Sequence, residues 1–325
     1  MRVIALIGFL CVAVLRAALS AAGEAPAPPV FDIPRLDNIT IDGKPDDWGE
    51  RGFRVDVLTD VAGKALPTAN YDAVFRLGWD ENGQLVLITV QDDVFLEPFT
   101  AGAELWKGDS IELFMATRRG GEDCFQVVLA PGCDPKTAKG RYNLSDYRKN
   151  EELKKTPLEL KVKRTKTDHG FVLEVLLPWK NLGIEAKEGR EIGFQLYAND
   201  SDKEGERFQL LWYPIPEPFT DPNRMYSLRL AAQPSPPVRA VADAGYDAEG
   251  RGQISVVAAG ELKGKQVKVK AGDQTVGEGE LQPEGGRAAA KVSLPPPKEK
   301  AYGPLTVRVD DRVVGTVALP VAKAK

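Results

Sequence analysis

Side chains able to do chemistry concentrate in Trp106-Lys107-Gly108-Asp109-Ser110-Ile111-Glu112-Leu113-Phe114, where a turn runs into an apolar run carrying a carboxylate at a core-like position. Lys107-Gly108-Asp109 has turn chemistry, and Ser110 to Met115 alternates with the period of a strand. Ile111 and Leu113 fall on one face, Ser110, Glu112 and Phe114 on the other. A glutamate shut away from water without partners is strongly disfavoured, so Glu112 needs either buried donors or a wet cleft. Two readings follow: contact with a ligand, or a structural carboxylate paired with Arg76 or Lys107.

Catalysis finds little support. A glycosidase places two carboxylates about 5–10 Å apart across one bond. Asp109 and Glu112, on an extended segment, point to opposite sides. His169 is the single histidine and stands in a Lys/Thr/Asp turn, which does not suit a Ser-His-Asp arrangement. The acidic loops Asp42/Asp46/Asp47, Asp92/Asp93 and Asp200/Asp202 carry the oxygen ligands a structural calcium takes, though none has EF-hand spacing and solvated turns are the plainer reading. No other cofactor is expected.

These residues need a rigid frame, and the chain supplies one. At 325 residues it suits two domains with real cores. Residues 1–22 read as a signal peptide, with Arg2 before an apolar run from Val3 to Leu15 and small residues beyond Ala17. That run is too short to span a bilayer, and no second one follows, so an exported chain (extracellular or periplasmic) without a transmembrane segment is expected. Removing it takes away Arg2 and Arg16 and shifts the net charge of −4 further negative, against nucleic acid as a partner.

Residues 23–37 form a Pro/Ala-rich leader, expected to be extended, with order starting near Ile39 and a short strand at Ile39 to Ile41. Strands are predicted over 53–58, 71–79, 85–92, 110–116, 124–130, 158–165, 170–177, 191–199 and 208–213, with Gly, Pro, Asn or Asp at nearly every junction. Residues 146–154 read as a charged loop. An extended 125–130 segment travels roughly 20 Å before Pro131-Gly132, too far for Cys133 to return to Cys124, so free thiols are expected. The Pro-rich 232–237 is a linker, and 238–322 shows about six weaker strands and no Trp. The fold class is all-β: an antiparallel β-sandwich over 38–231 followed by a smaller immunoglobulin-like β-sandwich.

Several stretches of the first domain, in order, resemble the family 9 carbohydrate-binding modules within the wider DOMON-like group. They are Ile41 to Trp48, Leu77 to Glu81 with Leu85 to Asp92, Trp106 to Phe114, Glu174 to Leu182, Ile192 to Asp200, and the Trp212 strand with Phe219-Thr220-Asp221-Pro222 and Ser227 to Leu230. The resemblance implies that a sugar at a glycan end is held between two aromatics while a carboxylate and polar groups bond its hydroxyls. Carried over by position, Trp106 is the first aromatic, Glu112 the carboxylate and Phe219, in place of Trp, the second aromatic. Gln126 stands where an Arg is usual and Tyr197 where an amide is usual. The expected function is a secreted, non-catalytic carbohydrate-binding protein with a poly- or oligosaccharide as partner. The alternatives are a structural or adhesive cell-surface sandwich that has lost its sugar, or an accessory subunit of a glycoside hydrolase system.

Overall fold

The computed structural model describes residues 28–97, 102–297 and 302–320. The segment read as a signal peptide, and Cys11 with it, lies outside the described residues. The first domain is built from β1 (Val30–Pro34), β2 (Phe53–Val55), β3 (Tyr71–Trp79), β4 (Gly83–Asp92), β5 (Ser110–Ala116), β6 (Cys124–Ala130), β7 (Arg141–Asp146), β8 (Lys161–Thr167), β9 (Gly170–Pro178), β10 (Glu191–Asp200), β11 (Phe208–Leu211) and β12 (Tyr226–Ala231). A five-stranded sheet runs β2-β3-β4-β9-β8, and a seven-stranded one runs β1-β12-β10-β5-β6-β7 with β11 also paired to β10.

Period-2 alternation decides which side chains enter the space between the sheets. From β5 come Ile111, Leu113 and Met115, from β6 Phe125, Val127 and Leu129, and they meet Phe75, Leu77, Ile88 and Val175 of the other sheet. Trp48, Trp79, Trp179 and Trp212 are all buried, so these aromatics serve the fold.

A second buried glutamate fixes the chain where the ordered domain was expected to begin. Glu174 Oε2 accepts from the backbone N–H groups of Asp42 at 2.9 Å, Gly43 at 2.6 Å and Lys44 at 3.2 Å, and Oε1 accepts from Trp48 Nε1 at 2.8 Å. Residues 39–41 are therefore not a strand: their backbone belongs to a loop closed on this carboxylate.

Order begins earlier than expected, with β1 inside the Pro/Ala-rich leader, running parallel to β12. Its Ile33 is fully buried, and Phe31 packs on Phe53, Trp212 and Tyr226 with ring centroids 5.1–5.2 Å apart. The leader is drawn into the sheet because two large apolar side chains alternate with Asp32, which pairs with Arg229 of β12. β7 occupies 141–146, where no strand was expected, and the expected 146–154 loop stays irregular over 147–150 before a single helical turn at Glu151–Lys154. The turn is held by Arg148, buried and donating to the carbonyls of Leu153, Thr156 and Asn181 as well as to Asp146. Cys124 and Cys133 are buried and free, as the span between them requires.

The second domain contains β13 (Ala240–Tyr246), β14 (Gly252–Ala258), β15 (Gln266–Ala271), β16 (Gln274–Glu280), β17 (Gln282–Glu284), β18 (Arg287–Ser293), β19 (Leu305–Val309) and β20 (Arg312–Val317). They form two four-stranded sheets, β13-β14-β18-β17 and β16-β15-β19-β20, around Ile254, Val256, Val267, Val269, Val292 and Val307.

The Pro-rich connection is hydrogen-bonded to the first domain: Ser235 exchanges bonds with Asp32, and Val238 N–H donates to Arg54 O at 2.9 Å. Arg287, 6% exposed, reaches across to Asp72 Oδ1 at 2.9 Å and Leu66 O at 3.0 Å, while Thr68 N–H donates to Gly285 O at 2.8 Å. A Cβ at Gly286, whose φ is +81°, would lie 1.8 Å from Thr68 Oγ1, so this contact requires glycine.

Candidate functional site

The outward face of the seven-stranded sheet carries Glu112 at its centre. Cα register lays out three rows across it. Asn143, Val128, Glu112 and Tyr197 form the middle row, Ser145, Gln126, Phe114 and Gln195 one flank, and Ser110, Asn199 and Gln209 the other. Diagonal neighbours in such a ladder are within reach of long side chains. Glu112 takes amides from both flanks: Gln126 Nε2 at 2.6 Å on Oε2, Asn199 Nδ2 at 2.8 Å and Gln209 Nε2 at 3.3 Å on Oε1.

The buried-donor requirement of Glu112 is thus met by neutral amides. Arg76 and Lys107, the partners expected for a structural carboxylate, are engaged elsewhere, with Gly49 O and Glu104 respectively. Burial raises the Glu112 carboxyl above its ordinary range, and the hydrogen bonds from Asn199 and Gln126 and the charge of Arg207 pull it back. Glu112 is 4% exposed. A carboxylate offers about four lone-pair sites. The three amides fill both sites on Oε1 and one on Oε2, leaving one acceptor position on Oε2.

Aromatics bound this polar strip at both ends. Trp106 sits in a 3₁₀ turn (Gly102–Lys107) and packs on Leu105, Val128 and Ala130. The guanidinium of Arg207, just before β11, lies 4.5 Å from its ring centroid. At the other end Phe219, 38% exposed, stacks on Tyr147 with centroids 5.2 Å apart and 19° between planes, and lies 6.4 Å from Phe114.

Tyr197 departs from the expected role. It is 3% exposed, packs against Phe114 at 4.9 Å, and its hydroxyl accepts from Glu217 N–H at 2.9 Å. Through this accepted bond it anchors the loop that carries Phe219. Gln126 does face the strip, its Oε1 accepting from the Tyr147 hydroxyl at 3.2 Å.

Four residues of the strip were not singled out from the sequence: Asn199, Gln209, Arg207 and Tyr147. Asn199 and Gln209 sit at alternate strand positions whose partners become visible only through β10–β5 and β10–β11 register. Arg207 supplies a guanidinium over the face from the loop before β11, not from β6 where the Arg was looked for.

Residues 41–232 match the family described as carbohydrate family 9 binding domain-like. The chain belongs to that family. The family 9 modules expected from the six stretches are thereby found over nearly the same span, and the second domain lies outside the match. No curated protein matches the chain. Among solved structures, it is similar to a family 9 carbohydrate-binding module from Caldicellulosiruptor kristjanssonii in complex with cellotriose. Identity is 16%, TM-score 0.48, covering 63% of this chain and 95% of that one. The same organism's module in complex with glucose gives 15% identity and TM-score 0.47, covering 63% of this chain and 97% of that one.

Beside the polar strip, the family 9 domain buries a second group of carboxylates. Asp109, just before β5, accepts from the N–H groups of Leu96 at 2.6 Å and Ser201 at 2.9 Å. Asp92 and Asp200 close β4 and β10, and Asp202 follows. Burial, opposed by the Val94 N–H and reinforced by Asp202 and Asp93, pushes Asp92 up to about 7. Burial and the charges of Asp202, Asp92 and Asp93 push Asp200 up to about 8. Of the acidic loops noted in the sequence, the structure joins Asp92 with Asp200 and Asp202. Asp42 and Asp47 instead accept bonds from nearby backbone within the Glu174 loop.

Proposed function

We propose that the outer face of the seven-stranded sheet binds the end of a glycan chain, and that the protein is exported and non-catalytic. The observation that carries this reading is the strip itself: a buried carboxylate held by three amides, with one acceptor site left, between aromatic rings at either end. A pyranose presents polarised C–H groups on one face and hydroxyls around its edge, so flat rings and an equatorial row of donors and acceptors match it. Trp106 and Phe219 would stack, Glu112 Oε2 and the second N–H of Gln126 would meet neighbouring hydroxyls, and Tyr197 would position the Phe219 loop. Each stacking contact contributes about 0.5–1.5 kcal/mol beyond area burial. With a few charge-assisted bonds the total falls at about −4 to −8 kcal/mol, millimolar to micromolar binding. That is retention on a polysaccharide, suited to an accessory of carbohydrate-degrading enzymes.

One observation favours the structural or adhesive alternative: Arg207 covers a face of Trp106 and Tyr147 covers a face of Phe219. A glycan array followed by calorimetry on wild type and Trp106→Ala separates the two. Binding that Trp106→Ala weakens at least about tenfold supports the site. Equal binding by both proteins removes the site assignment, and binding to no glycan favours adhesion.

A further inference from the structure

Charge is unevenly spread along this acidic chain. Residues 136–167 carry eleven Lys and Arg against four Asp and Glu, while the whole chain has a net charge of −4. The segment forms β7 and β8, each the last strand of its sheet, together with the loops beside them. Each of these strands keeps one edge without a strand partner among the described residues. The 131–140 loop closes on β8, where Arg164 donates to Gly132 O at 2.8 Å and Lys166 to Cys133 O at 2.9 Å. The basic surplus therefore collects along one side of the sandwich, where the two sheets part.

The four acids of the segment are already paired: Asp146 with Arg148, Glu151 with Lys154, Glu152 with Lys155 and Glu159 with Lys180. Among the described residues no carboxylate pairs with Lys136, Lys139, Lys161, Lys163, Arg164 or Lys166. Lysines on an edge strand discourage pairing with other chains, which accounts for Lys161 and Lys163. It does not account for Lys136 and Lys139, exposed in a loop, or for the groove between β7 and β8. That groove holds about 240 Å³ over Leu129, Val162 and Leu173, with Tyr142 and Arg164 in its walls. Tyr142 is 55% exposed, so an open aromatic ring stands beside a guanidinium.

This combination selects among polyanions. An anionic membrane is met by an amphipathic face that inserts apolar side chains, and single-stranded nucleic acid is met by a series of stacking aromatics; the groove offers one ring. A sugar bearing a carboxylate fits all of it. Its C–H face suits Tyr142, its carboxylate suits the planar fork of Arg164, and its hydroxyls suit the free edge of the backbone. We propose that this edge binds an acidic polysaccharide, a chain of carboxylated sugars whose further carboxylates lie along the lysines. The groove shares no residue with the Glu112 strip, and the proposal stands whether or not the outer face takes a sugar. Neutral glycans therefore report on the outer face and uronates on this edge.

The test titrates the full chain by calorimetry with a hexamer of galacturonic acid at an ionic strength of about 0.02 M. A neutral glucose hexamer, phosphatidylglycerol vesicles and a single-stranded DNA are measured beside it. The galacturonate should bind with millimolar to micromolar affinity and weaken at least about tenfold in about 0.5 M salt. The neutral hexamer should not displace it. Lys136→Glu combined with Lys139→Glu should weaken binding at least about tenfold, and Tyr142→Ala about threefold to tenfold, both with wild-type circular dichroism. Trp106→Ala should bind the galacturonate as the wild type does. Absence of galacturonate binding by the wild type overturns the proposal, as does binding left intact by the lysine pair or by Tyr142→Ala. Loss of binding in Trp106→Ala, displacement by the neutral hexamer, or tighter binding to vesicles or DNA overturns it equally.

Discussion

Three of the buried carboxylate sites in one sandwich are settled in three ways. Glu174 of β9 is closed by four donors of the 42–48 loop. Glu112 is held by three amides from neighbouring strands, with an acceptor site to spare. Asp200 has both oxygens unpartnered beside Asp92 and Asp202. Burial alone therefore says little about what an acidic residue does; the count of donors around it says more. A saturated carboxylate is structural, a nearly saturated one at an open strip can recognise a hydroxyl, and an unsatisfied cluster holds its acids toward the neutral form.

The comparison breaks most readily at Glu174. Glu174→Ala should lower stability by about 3–5 kcal/mol, read by denaturant unfolding, because buried N–H groups lose their acceptor. A loss below about 1 kcal/mol would remove its structural role. Asp200→Asn should behave oppositely. Above about pH 8, where the wild type carries the repelling charge, it should be as stable as wild type or more so.

Glu112→Gln should weaken glycan binding by about 1.5–3 kcal/mol, the range for a hydrogen bond to a charged group. Its effect on stability should be smaller, because burial already favours the neutral carboxyl. The signs with pH follow. With its folded pKa raised, Glu112 contributes stability below the ordinary glutamate value and loses it as pH rises through the raised one. Glycan binding uses the anion and should fade as pH falls through that same raised value, a midpoint Glu112→Gln abolishes. The smallest effect is expected at Phe219→Ala, about 0.5–1.5 kcal/mol in affinity, since its ring is already shared with Tyr147.

Much of the frame was legible in the sequence. Strands 71–79, 110–116 and 124–130 lie where their alternation places them, and Glu112 and Phe114 share the outward face. β1 was hidden by its Pro/Ala-rich surroundings, although Phe31 and Ile33 alternate around Asp32; its partner β12 lies nearly the whole domain away along the chain. β7, with residues half-exposed on both faces, carries no apolar period to read. At the site, Trp106, Glu112, Gln126 and Phe219 could be picked out singly. The roles of Asn199, Gln209 and Arg207 depend on register and on a loop folding back over the sheet, which no local pattern encodes. Tyr197 shows the converse: it lies beside Glu112 in the ladder, yet it is buried and its hydroxyl accepts from the backbone of Glu217. The acidic cluster joins one pair of acids to another from a different sheet, so only the fold brings them together.

Glycan recognition on the outer face is tested most directly by ¹H–¹⁵N NMR of the full chain titrated with a glycan found on the array. The account predicts that the Trp106 indole N–H and the side-chain amides of Gln126, Asn199 and Gln209 shift together, while the indoles of Trp48, Trp79, Trp179 and Trp212 stay in place. Shifts confined to other surfaces, such as the polar hollow between the domains lined by Arg54, Asp72 and Arg287, with Trp106 unmoved, would contradict it.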